Sequence, residues 1–90
     1  MVRLKARVVL SSQREAFSGM QPSFNKGGEL VMSRVLLGPP GSRLPIGEPV
    51  DVTIELPYAD KLGWELSPGM EFQLNVGARA IGTGTVMARE

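Results

Sequence analysis

The ninety-residue sequence predicts an all-β fold, a small closed six-stranded antiparallel β-barrel, on three observations. Apolar and polar residues alternate with a period of two in several runs, clusters of Gly and Pro interrupt those runs at roughly ten-residue spacing, and no convincing helix pattern intervenes. Closing so small a sheet hides edges that would otherwise invite pairing with other chains. The length suits one core, and no repeat, low-complexity tract or linker divides it, so residues 1–90 are expected to form a single domain.

Each element has its own local reason. Val2, Leu4, Ala6, Val8 and Leu10 share one parity while Arg3, Lys5 and Arg7 share the other, the signature of a half-buried strand. "SSQREAFSGMQPS" reads as a loop in which Pro22 disfavours a central strand, with Phe17 and Phe24 plugging it to the core. Glu29 to Leu37 is a β-branched and aliphatic run that stops at "GPPGS". Val50, Val52, Ile54 and Leu56 alternate with Asp51, Thr53 and Glu55 until Pro57 ends the strand. "YADKLGWELSPG" is an excursion with room for one helical turn, where Tyr58 and Trp64 offer either a stacking platform for a base or a lid over one barrel end. Met70, Phe72, Leu74 and Val76 form a further strand, and a last one starts near Arg79 and runs to Ala88.

Composition narrows the chemistry. Apolar residues at 42% and charged residues at 21% describe a globular chain rather than a disordered one. Ten Lys and Arg stand against nine Asp and Glu, so a basic partner surface must be local. Without Cys or His the chain has no thiolate nucleophile, imidazole base or usual zinc ligand set, and no metal or cofactor is expected. Asp51 and Glu55 share one strand parity, and two such carboxylates are ordinarily outward polar residues, so no enzymatic role is expected. The N-terminus alternates basic and apolar residues instead of forming a signal peptide, and no segment is long and apolar enough to span a bilayer, which makes the cytoplasm the expected compartment.

The most suggestive stretch is "NVGARAIGTGTV", Asn75 to Val86. Its glycines lack the spacing, the following Lys and the following helix that phosphate-binding loops require. Gly77 and Ala78 suit a tight hairpin turn instead. Gly82 and Gly84 fall on one strand face, where a missing side chain marks a sharp bend or a close backbone, with Thr83, Thr85 and Ile81 opposite.

These residues resemble the C-terminal, third, β-barrel domain of bacterial elongation factor Tu and related translation GTPases. In that family the last hairpin reads close to "REGGRTVGAGVV", matched here at Gly77, Arg79, Gly82, Gly84 and Val86. "FSGMQPSF" is similar to the family's "FKGYRPQF", and "PVDVTIEL" to its "NVKMTVEL", so the likeness extends over almost the whole chain. Met20, Gln21 and Ser23 replace the family's Tyr-Arg and Gln, Asn75-Val76 replaces its Arg-Glu, and the segment from Pro57 to Gly69 is longer.

The resemblance implies a detached accessory barrel without the GTPase domain, whose relatives grip the T stem of aminoacyl-tRNA, pack on the GTPase domain and meet the nucleotide-exchange factor. It carries Gly77 and Arg79 over from the RNA-contacting region. Arg3, Lys5 and Arg7, about 6.7 Å apart along an extended chain, form either a row for successive phosphates or a solvated face. Arg34 joins them as a candidate, and Arg79 either pairs with a carboxylate or faces a nucleic-acid backbone. Two functions are therefore expected as alternatives: a barrel that binds tRNA or another structured RNA by its backbone, or a module that docks onto a larger protein such as a translation GTPase.

Overall fold

The structure, a computed structural model, describes residues 1–12, 14, 16–59 and 65–90. Seven strands form: β1 (Val2–Leu10), β2 (Ser23–Lys26), β3 (Glu29–Met32), β4 (Arg34–Leu36), β5 (Pro49–Leu56), β6 (Glu71–Val76) and β7 (Arg79–Arg89). They make one antiparallel sheet in the order β3-β2-β6-β7-β1-β5-β4. The all-β prediction is met, but the sheet is an open half-barrel of seven strands rather than a closed barrel of six.

Two local events account for the difference. Ser23–Lys26 leaves the preceding loop to form a hairpin with β3, closed by Gly27 and Gly28, both at positive φ. The run from Glu29 to Leu37 divides at Ser33 into β3 and β4, which become the two outermost strands. Closure on the β5 side stops because extending the β4–β5 register past Arg34↔Glu55 would set Met32 opposite Pro57, which has no N–H to donate.

On the other side the hairpin register runs on as far as Met20↔Val35, where Gly19 and Met20 together oppose Val35. Ser33 donates from both its N–H and its hydroxyl to the carbonyl of Pro22, at 3.2 and 2.6 Å. Beyond it the N–H of Val35 donates to Met20 at 3.0 Å, and the N–H of Gly19 donates to Val35 at 2.7 Å. Ser33 is fully buried, so its hydroxyl needs that acceptor.

The inward face of the sheet carries the core: Leu4, Ala6, Val8 and Leu10 of β1 lie against Val52, Ile54 and Leu56 of β5, with Phe24, Phe72 and Leu74 beside them. Phe24 and Phe72 stack with centroids 4.4 Å apart, so Phe24 anchors the core as expected. Phe17 does not; it stays 37% exposed in a bridge to Arg43, while Ala16 and Met20 are buried. Gly19, at φ +98°, makes the turn that carries Phe17 outward and Met20 inward. Tyr58 is half-exposed, and Leu62 and Trp64 lie outside the described residues.

Gly82 and Gly84 do face inward together. A Cβ on Gly84 would sit 2.5 Å from Cζ of Phe72 and 2.8 Å from Cγ1 of Val8, and one on Gly82 would sit 2.9 Å from the carbonyl oxygen of Val9. Thr83 is exposed opposite them, but Ile81 is buried, contrary to the expectation that it holds the outer face. Gly77 has φ +61° and Ala78 a negative φ, the combination of a type II′ turn between Val76 and Arg79.

Gly84→Ala is expected to lower stability by about 1–3 kcal/mol through overpacking, read as a fall in the urea midpoint. Ser33→Ala removes one buried hydrogen bond, so about 0.5–1.5 kcal/mol is expected from the same measurement.

Candidate nucleic-acid interface

The odd residues of β1 point outward and stand opposite β5 in the order Arg3↔Glu55, Lys5↔Thr53, Arg7↔Asp51. Arg3 donates to Glu55 at 2.6 Å. Lys5 reaches Thr53 at 3.2 Å and Glu90 at 3.3 Å. Arg7 holds both oxygens of Asp51, at 2.8 and 3.3 Å. Arg34, on the next strand, lies 3.9 Å from the second oxygen of Glu55. The row is therefore a ladder of cross-strand ion pairs, and each of its cations faces a carboxylate that a phosphate would have to displace.

Asp51 and Glu55 are each taken up by arginines, the arrangement of a ladder rather than of two carboxylates dividing acid and base roles. The hydrogen bond from Arg7 holds the Asp51 carboxyl below its ordinary value, partly offset by desolvation and aided by the arginine's charge. The Arg7–Asp51 pair is solvent-exposed and contributes little stability, whereas Glu55 is buried and its bond to Arg3 is only partly exposed.

Gly77 and Arg79 lie elsewhere, in the β6–β7 turn at the end of the sheet where β1 finishes. Two loops meet them there. The N–H of Ser11 donates to Ile81, that of Leu44 to Ala16 and that of Gly47 to Leu10, at 2.8, 2.9 and 2.8 Å. These bonds bring Arg14 and Arg43 to the same end, on either side of a cleft of about 680 Å³ lined also by Ala16, Leu44 and Ile46. Single arginines in irregular loops carry no spacing signal, which is why sequence reasoning passed over both.

Among the described residues Arg14, Arg43 and Arg79 share the first end with one carboxylate, Glu48. The opposite end carries Glu29, Glu65 and Glu71 with Lys26 and Arg89, and there Glu90 lies beside Arg3 and Lys5 while Glu55 lies between Arg3 and Arg34. A second hollow, about 700 Å³, runs along the outer wall past Arg7, Gln73, Thr83 and Thr85.

The candidate residues thus fall into two sets: Arg3, Lys5, Arg7 and Arg34 on the wall, and Gly77 with Arg79 at the arginine-bearing end. No group of His, Cys, Asp and Glu among the described residues is placed to hold a metal ion. None of their helices is long and apolar enough to cross a membrane. No protein-family model matches the chain, and no curated protein matches it.

The depressed Asp51 pKa gives stability that is present above the carboxyl's unfolded pKa and lost as pH falls through the folded one. A carbon-detected NMR titration is expected to place the Asp51 midpoint below 3.8, and Arg7→Met is expected to return it toward that value.

Proposed function

We propose that this chain is a non-catalytic RNA-binding barrel, similar to the third domain of elongation factor Tu, which holds tRNA or another structured RNA by its backbone in the cytoplasm. The observation that carries the reading is the gathering of Arg14, Arg43 and Arg79 at one end of the sheet, with Glu48 as the only described carboxylate there. Guanidinium groups present forked donors that suit phosphate oxygens, and each phosphate contact releases counterions. Gly77 keeps the turn under Arg79 tight, so that the arginine leaves the sheet at a fixed place. In the wall row a phosphate would have to displace Asp51, Glu55 and Glu90.

That compensated wall favours a second reading, in which the barrel docks by a sheet face onto a larger protein such as a translation GTPase. A surface of alternating, mutually paired charges attracts nucleic acid weakly and suits a polar protein interface.

Fluorescence anisotropy with tRNA across a salt series separates the two. For the intact chain, log affinity is expected to fall linearly with log salt, and replacing Arg14, Arg43 and Arg79 by Ala is expected to reduce the slope by about 2–3. Arg7→Ala should leave it nearly unchanged. Absence of tRNA binding at low salt would end the RNA reading, and a specific protein retained from lysate after ribonuclease treatment would support docking.

A further inference from the structure

Phe17 is an apolar ring held in the open by its neighbour. Ser18 is buried; its N–H donates to the carbonyl of Ser42 and its carbonyl accepts from the N–H of Gly41, both at 2.8 Å. Its hydroxyl accepts from the N–H of Leu37 at 2.9 Å and donates to the carbonyl of Gly38 at 3.2 Å. The bond from Ser18 to Ser42 and that from Leu44 to Ala16 flank the bridge between Phe17 and Arg43, which makes these two a non-hydrogen-bonded pair. In such a pair the Cα atoms stand about 4.5 Å apart and the side chains rise from one face as neighbours. Ring and guanidinium are therefore presented side by side on a backbone that is already fixed.

Phe24 and Phe72 are stacked in the core, and Tyr58 follows β5 at the opposite end of the sheet. Among the described residues Phe17 is thus the exposed aromatic of the arginine-bearing end. Arg43 also borders the cleft of about 680 Å³ with Arg14, over an apolar floor of Ala16, Leu44 and Ile46, and no carboxylate among the described residues lines it.

We propose that this end receives an unpaired stretch of RNA, with one base stacked on the Phe17 ring and neighbouring phosphates on Arg43 and Arg14. The proposal rests on the RNA reading above and names the part of the RNA that this end takes. A duplex keeps its base faces stacked inside and offers a surface its phosphates, sugars and groove edges, so it engages the arginines but leaves the ring and the apolar floor uncovered. An unpaired strand carries phosphates and bare base faces together. Every base has such a face, so the site tolerates sequence. Ser18 has fixed the backbone under the ring beforehand, which lowers the ordering cost of binding.

Fluorescence anisotropy of the full chain with a labelled single-stranded RNA of about twelve nucleotides, and with the blunt duplex of the same sequence, tests this. At equal salt the single strand is expected to bind more tightly than the duplex, although it carries fewer phosphates. Phe17→Leu keeps the apolar bulk and removes the ring; it is expected to weaken single-strand binding about 5- to 100-fold while leaving duplex binding and the salt slope unchanged, since no phosphate contact is lost. Phe17→Trp should hold the single strand at least as tightly as the wild type, and Arg43→Ala should lower the single-strand slope by about 0.7. Circular dichroism of each variant is expected to match the wild type. The proposal is overturned if Phe17→Leu binds the single strand as the wild type does, if it weakens single strand and duplex alike, or if its loss comes with a lower salt slope. Salt-dependent duplex binding alongside any of these results leaves the backbone reading standing, whereas absence of binding to either RNA at low salt ends both.

Discussion

Ser33 is the single residue between β3 and β4, yet those strands stand at opposite edges of a seven-stranded sheet. In a flat sheet the two edges would lie about 29 Å apart at the usual strand spacing, whereas one residue spans about 3.4 Å. The sheet has to curl until its edges meet at that residue. The inward face becomes a concave core, the outer face is stretched, and the strand opposite the seam has to bend most. β7 meets that demand with glycines at 82 and 84, over which Phe72 and Leu10 close the space a side chain would have filled.

The same geometry sorts the charges. Strands β1, β5 and β4 are neighbours on the wall, so the cations of β1 fall against the carboxylates of β5, and Glu55 comes within reach of both Arg3 and Arg34. Arg14, Arg43 and Arg79 come from two loops and the start of β7 rather than from one strand face, so they share no register with the carboxylates of β5, although all of them are surface basic residues in the sequence.

Much of this was legible in the sequence, and the parts that were not have a common cause. β1 and β5 show because one face of each is buried and the other wet, and Gly77 shows because a two-residue turn needs its backbone freedom. The inward glycines of β7 were readable as a close approach, although the approaching ring of Phe72 was not. β2 was missed because four residues, Ser23–Lys26, are too few to establish a period. The split at Ser33 and the open side at β3 depend on what Pro57 fails to offer from another strand, a long-range fact. For the candidate site, Gly77 and Arg79 were found through family likeness and the wall row through its periodicity. The carboxylates that occupy that row sit more than forty residues away, and only pairing register brings them there.

That ladder has a further consequence for how the chain finds its arrangement. Apolar alternation on β1 and β5 repeats every two residues, so sliding one strand by two along the other keeps every inward residue inward; burial alone scarcely tells the alignments apart. The ion pairs do. A slide of two in one direction sets Arg3 against Pro57 and Arg7 against Thr53, and only the native alignment gives Arg3 and Arg7 a carboxylate each while Lys5 meets a hydroxyl. The outer wall thus works as a key cut into the sheet, adding little to its stability and a good deal to its uniqueness.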